Sequence, residues 1–253
     1  MSTLIPDNPV PLYEQLHKVL SEEILTGVYK ENDRLPNEMA LCALYNVSRI
    51  TVRKAIDILC EEGMLVKNQG KGTYVSYKPV KTPISSHSGF TNPDNPAMKN
   101  RTTHVVTKET IKCDQALADR FQLPQGACVY KMLRILKDKG IPLMLDISYF
   151  PCAMYPDILD VFADNVSVYR TLQGPCGVVM QVVDKEISAS ICREEYARYL
   201  ECEVGSPLID IWKISYNPQS LPVYVSNLQV LAGRASYMVR VQSDDSSSTL
   251  LKF

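Results

Sequence analysis

The chain has 253 residues, 45% of them hydrophobic and 22% charged, with a formal net charge of −1. That length exceeds one ordinary domain, so two domains with separate cores are expected, and the near-neutral total excludes a uniformly basic or acidic surface. No apolar run of about 18 residues and no basic leader with a long apolar core occur, which argues against a membrane span or a secretory signal and points to the cytoplasm.

In chain order, a first helix is expected from Pro11 to Thr26. Proline suits a helix start, and Leu12, Leu16, Val19, Leu20 and Ile24 recur at helical spacing before Gly27 ends the run. A second helix begins after Leu35-Pro36 with Asn37 as its N-cap and is expected to bury Leu41 and Leu44. Asn46 tolerates a left-handed turn. Ser48 then caps a third helix, Arg49 to Glu62, closed by Gly63, with Val52, Ile56 and Leu59 as its inner stripe. Arg49 and Arg53 lie one turn apart outside that stripe, with Thr51 near the exposed N-terminal turn.

Met64–Lys67 and Thr73–Val75 read as strands of a hairpin whose tip, Asn68 to Gly72, holds Gly70, Lys71 and Gly72. Helix, turn, helix and glycine-tipped hairpin together make a winged helix-turn-helix. In that motif the N-terminal part of the second helix meets base edges and phosphates, and the planar fork of arginine suits both. The local charge agrees. Residues 1–48 hold three basic and seven acidic side chains, whereas residues 49–81 hold seven basic and three acidic.

The order P-L-Y-E-Q-L, L-P-N-E, V-S-R-I-T-V-R-K-A-I, L-x-x-x-G and G-K-G-T-Y-V over residues 9–76 resembles the DNA-binding domain of GntR-type bacterial transcription regulators. The resemblance implies that Arg49, Thr51, Arg53 and Gly70 to Gly72 contact DNA. Two positions depart from it. Glu31-Asn32 stands where the family has Pro-Gly, and Met39 stands where it has a DNA-contacting arginine.

After a domain at residues 1–77, the prolines of residues 78–86 suggest an extended linker. Beyond it lies an internal repeat. The segment Ala118 to Tyr130 resembles Ala197 to Ile209, each copy preceded by a V-x-K-E strand (Val106 to Glu109, Val183 to Glu186) and followed by a proline that opens another strand (Pro142, Pro222), at a spacing of about 77 to 80 residues. Two copies joined by short turns predict a pseudo-symmetric, mainly antiparallel sheet, so the whole chain is expected to be α+β.

This half, residues 87–243, resembles the UTRA effector-sensing domain of the HutC-type GntR subgroup, which has a chorismate-lyase-like fold. A polar tail is expected at 244–253. Arg134 shares a strand face with Tyr130, Met132 and Leu136, and a cation there needs either an exit to solvent or an anionic ligand. The resemblance to sugar-phosphate sensors places Arg134, Ser167 and Tyr169 around a ligand phosphate, with Ser167 at a helix start where free N–H groups attract anions. Ser88 and Asp146 complete the implied effector site. Leu136 replaces a second phosphate arginine, Gly89 falls where a serine stands with Ser88 adjacent, and Asp146 replaces a glutamate.

The resemblance therefore implies a homodimeric regulator of palindromic operator DNA. It would be released by a small polar or anionic effector, sugar-phosphate-like or an organic acid, with no cofactor and no metal. Two other readings stay open at this point. The fold could house a chorismate-lyase-like enzyme, although the three histidines are dispersed and no catalytic order stands out. Eight cysteines (Cys42, Cys60, Cys113, Cys128, Cys152, Cys176, Cys192, Cys202) could support a redox sensor. Without a C-x-x-C pair they are expected to be reduced, buried thiols.

Overall fold

The computed structural model describes residues 4–5, 8–78, 80–83 and 101–239. Ser88, Gly89 and the tail at 244–253 lie outside the described residues.

Three helices build the N-terminal domain. Helix α1 (Leu12–Leu25) starts on Pro11 at φ −54 and buries Leu16, Val19, Leu20, Ile24 and Leu25. Helix α2 (Glu38–Tyr45) is capped by Asn37, whose side chain accepts from the Ala40 N–H at 2.9 Å. Asn46 takes the left-handed conformation (φ 52) and lets the chain turn into α3 (Arg49–Glu61). There Ser48 Oγ accepts from the Thr51 N–H at 3.2 Å, satisfying one of the open donors of the first turn.

Val52, Ala55, Ile56 and Leu59 face inward and join α1 and α2 in one core with Leu35, Leu41, Tyr45, Met64, Leu65 and Val75. The expectation for Leu44 is overturned. It is 43% exposed, and Tyr45, 8% exposed, fills the core instead. Helical rotation between adjacent positions is about 100°, so only one of the two can point inward, and the phenol also reaches Glu23. Strands β1 (Leu65–Asn68) and β2 (Gly72–Val75) form the antiparallel hairpin, with Leu65 opposite Val75 and Asn68 opposite Gly72. Asn32, the substitute for the family's turn glycine, sits at φ 70.

The segment expected to be a plain linker contains strand β3 (Val80–Pro83). It pairs in parallel with β10 (Ala235–Met238), near the other end of the C-terminal domain. Between them lies a six-stranded antiparallel sheet built of β4 (Arg101–Lys112), β5 (Cys128–Asp138), β6 (Ile141–Pro151), β7 (Val182–Ile191), β8 (Pro207–Tyr216) and β9 (Pro222–Leu231). Their spatial order is β4-β5-β6-β9-β8-β7. That order is the internal repeat made visible. Each copy supplies three strands, and the copies meet where β6 pairs with β9. Each also holds a short helix after its first strand, α4 (Gln115–Phe121) and α7 (Glu194–Leu200), ended by a left-handed residue, Gln122 (φ 55) or Glu201 (φ 50).

One sheet face packs against α4 and α7 through Phe121, Val129, Val225, Leu145, Leu200 and Leu208. The opposite face is covered at one end by α5 (Ile158–Val161) and α6 (Val168–Gln173). At its other end Ala235 of β10 packs on Leu136, Met144 and Val230.

The two domains meet at the turn before β10. The Tyr77 hydroxyl donates to the Arg234 carbonyl at 3.1 Å. The Arg234 guanidinium is buried and donates to the carbonyls of Pro142 (2.6 Å), Leu200 (2.7 Å) and Glu201 (3.1 Å), which places a cation on the open C-terminal carbonyls of α7. Gly233, at φ 87, lies so close to α1 that a Cβ there would stand 2.1 Å from the Leu25 carbonyl oxygen. Only glycine fits this approach. Gly233→Ala is expected to destabilise the chain well beyond Gly140→Ala, which shares a positive φ (85) but has open space around it. The cost should be about 1 kcal/mol at Gly140 and a further 1–3 kcal/mol, roughly, at Gly233. Equal midpoints of the two variants in urea unfolding would contradict the close contact.

Candidate functional site

The first surface of interest is the outer face of α3 with the β1–β2 hairpin. Because Val52, Ala55, Ile56 and Leu59 consume the inner stripe, Arg49, Ile50, Arg53 and Lys54 are left outside, and Ile50 is 81% exposed. Arg49 is exposed and has no polar partner among the described residues. Thr51 is half-buried, its hydroxyl 2.9 Å from Ser48 Oγ.

Arg53, unlike Arg49, has a partner within the chain. It forms an exposed ion pair with Glu38 of α2, with Nη2 at 3.0 Å, and that hydrogen bond followed by the carboxylate's charge raises the Arg53 pKa above its ordinary value. The pair is solvent-facing, so it orients the side chain and remains exchangeable for another anion.

At the hairpin, Gly70 (φ 73) and Lys71 form the exposed tip, and Gly72 (φ 117) is half-buried beside it. Arg34 was missed by the sequence reading. A Cβ on Gly72 would lie 2.8 Å from Arg34 Nε, so the absence of a side chain admits this arginine beside the hairpin. Its only sequence signal is its place in the Arg34-Leu35-Pro36 run, three residues before the α2 N-cap Asn37.

The second site lies on the sheet face that carries α5 and α6. Strand register puts Arg134 opposite Asp146, Met132 opposite Ser148, Ser148 opposite Ser226, and Ser226 opposite Lys213. A row of polar side chains therefore crosses the middle of an otherwise apolar face. Arg134 is 4% exposed and Asp146 is 7% exposed. Arg134 Nη2 donates to Asp146 at 2.5 Å and Nη1 to the Val166 carbonyl at 3.0 Å, while Nε is buried without a partner among the described residues. Asp146 also accepts from Ser148 Oγ at 2.9 Å, and Ser148 lies 2.9 Å from the buried Tyr224 hydroxyl.

Burial pushes the Asp146 carboxyl up, but the charges of Arg134 and Lys213 and the hydrogen bonds from Arg134 and Ser148 outweigh it and hold the pKa below the ordinary value. Arg134 therefore neither leaves for solvent nor stands unpaired for a ligand, the two outcomes expected from its strand face: its partner is the protein's own Asp146, set opposite it by strand register.

Ser167 caps α6 by accepting from the Arg170 N–H at 3.4 Å, next to the Val166 carbonyl that Arg134 holds. Tyr169 packs partly on the same core and accepts from Gln173 Nε2 at 3.2 Å. Arg134, Asp146 and the start of α6 are therefore brought together. Tyr224, Ser148, Ser226 and Lys213 join the row, and the sequence reading did not name them.

The eight cysteines are all free, and the expectation that they are buried holds for Cys113 and Cys192 alone. Cys128, the first residue of β5, and Cys176, in the turn after α6, are exposed, and the rest are half-buried. Cys152 and Cys192 are pushed up to about 12, first by burial and then by a neighbouring thiol (Cys128 and Cys202), so both are protonated and weakly nucleophilic at neutral pH. No helix among the described residues is long and apolar enough to cross a membrane, and no metal-binding cluster occurs among them.

Removing the carboxylate from the central row should be costly. Asp146→Asn leaves a buried guanidinium uncompensated and is expected to lower stability by about 3–5 kcal/mol, whereas the double substitution Arg134→Met with Asp146→Leu should cost much less. Chemical denaturation of the three proteins measures this. Because the folded pKa of Asp146 is depressed, its contribution is complete above the ordinary carboxylate range and is lost as pH falls through the folded value. The wild type should therefore lose stability in acid more steeply than the double variant, and parallel pH profiles would contradict the pairing.

The family model described as bacterial regulatory proteins, gntR family, matches residues 12–75, and the model of the UTRA domain matches residues 98–235. The chain is 32% identical over 229 residues to the uncharacterized HTH-type transcriptional regulator YurK of Bacillus subtilis, covering 90% of this chain and 95% of that protein. It is also 32% identical over 228 residues to a probable fructoselysine utilization operon transcriptional repressor of Escherichia coli K12, covering 90% and 93%. The crystal structure of PhnF from Mycobacterium smegmatis superposes with a TM-score of 0.62 at 19% identity, over 90% of this chain and 99% of that one, which shows a shared fold. YurK and the fructoselysine operon repressor are named as transcription regulators, and the chain belongs to the GntR family of bacterial transcription regulators, in its HutC-type branch with a C-terminal UTRA domain.

Proposed function

We propose that this chain is a ligand-responsive repressor that binds a palindromic operator as a homodimer in the cytoplasm and leaves it when a small polar or anionic metabolite occupies the C-terminal domain. The observation that carries the reading is the outer face of α3, where Arg49 and Arg53 project beside Thr51 from a rigid, capped helix flanked by the Gly70-Lys71-Gly72 tip. Arg53 exchanges Glu38 for a phosphate or a guanine edge, Arg49 reaches the adjacent position, and the hairpin tip follows the neighbouring groove wall. Two copies place two such helices about one helical turn of DNA apart, roughly 34 Å.

For the effector, Arg134, Asp146, Ser167 and Tyr169 bound the pocket, with Ser88 assigned to it by family likeness alone. The relative named for a fructoselysine operon concerns a small, polar, charge-bearing compound, in keeping with a sugar-phosphate-like or organic-acid ligand here. Coupling runs through the junction. Arg234 ties the β5–β6 turn and the end of α7 to Tyr77, and a cleft of about 540 Å³ separates α1 from that turn. Ligand that favours one seating of the domains shifts the population able to place both helices on DNA.

The test is selection of bound sequences from random duplex DNA by the full chain, followed by affinity measurements on the winner. An inverted repeat is expected, and Arg49→Ala and Arg53→Ala should each weaken binding by about tenfold or more at matched salt. Unselective binding, or arginine variants as tight as wild type, would overturn the reading.

A further inference from the structure

One side chain on the outer face of α3 does not match its neighbours. The exposed residues of this helix are Arg49, Ile50, Arg53, Lys54, Asp57 and Glu61, and Ile50 alone among them is uncharged. At 81% it is also the most exposed large apolar side chain among the described residues. Each step along a helix turns by about 100°, so two steps carry Ile50 nearly opposite the buried Val52. It points straight away from the domain core.

Its neighbours one turn on are Arg53 and Lys54, three and four positions later. Both cations are drawn sideways. Arg53 Nη2 reaches Glu38 at the start of α2, 3.0 Å away, and Lys54 Nζ lies over the Tyr13 ring near the start of α1, 3.5 Å from its centroid. Ile50 is left between them, covered by neither helix. The turn that carries it is fixed rather than frayed, because Ser48 Oγ accepts from the Thr51 N–H at 3.2 Å. Met39, next to Glu38 on α2, is exposed as well, so apolar surface borders the Arg53–Glu38 pair on both helices.

An isolated aliphatic side chain on a protein surface means little. This one stands on the turn that a recognition helix presents to base edges. A branched alkyl group neither donates nor accepts a hydrogen bond, so it cannot read the polar pattern of the major groove. Pressed against a polar base edge it would leave that edge stripped of water and unpaired. The one apolar group that the groove offers is the C5 methyl of thymine, which cytosine lacks.

We infer that Ile50 is a specificity-determining residue of the DNA contact, and that it reads the C5 methyl group of a thymine while the arginines beside it take phosphates and guanine edges. The inference rests on the recognition-helix reading above and assigns one base within it.

The probe is the duplex selected by the full chain, with each thymine replaced in turn by uracil, which removes the methyl group and leaves base pairing intact. Wild type is expected to bind one of these duplexes about fourfold more weakly than the parent, the value of one methyl group taken out of water. Ile50→Ala should bind the parent more weakly and lose the difference between the two duplexes, and Ile50→Val should keep most of it. Unfolding midpoints of the variants report separately on folding. If selection returns no sequence, or Arg49→Ala and Arg53→Ala bind as tightly as wild type, the recognition-helix reading fails and takes this inference with it. If the arginine variants weaken binding but no uracil substitution does, or the uracil effect is as large in Ile50→Ala as in wild type, the assignment of Ile50 alone is overturned.

Discussion

A buried guanidinium–carboxylate pair governs the C-terminal domain. Arg134 and Asp146 sit side by side on neighbouring strands at the centre of a six-stranded sheet, where an isolated charge of either sign could not be kept. Their presence splits one face into two apolar regions, one under α5 and α6 around Phe150 and Phe162, the other around Leu136, Met144 and Val230. Between these regions runs the polar row through Ser148 and Ser226 to Lys213. Hydrophobic packing alone would close that seam, whereas the ion pair keeps it polar.

The N-terminal domain follows a different logic. Caps and turns set where its second and third helices begin, most of all for the 8-residue α2. Asn37 and Ser48 cap the first turns of α2 and α3, and Asn46 supplies the bend between them. With those three positions set, the inner stripe of α3 determines which side chains remain outside. Arg53 is held by Glu38 through an exposed pair, an arrangement that aims the guanidinium without burying it. The junction with the sheet domain is tight at Gly233 and Arg234 and open at the adjoining cleft. A contact that is firm at one point and loose beside it leaves room for the two domains to pivot about Gly233 and Arg234.

What the residues alone determined is local or periodic. The caps, the left-handed turns, the hairpin and the inner stripe of α3 depend on contacts within a few positions along the chain, and the two-copy sheet was legible because the repeat is written twice. What tertiary structure decided is every pairing between distant segments. Only the packed helices chose Tyr45 over Leu44 and brought Glu38 to Arg53. Only the sheet register set Asp146 against Arg134, and only the closed domain laid β3 alongside β10 and left Cys128 and Cys176 facing outward. The reason is physical: propensity and period act over a turn or a strand, whereas ion pairing, strand register and burial depend on which surfaces meet once the chain has collapsed.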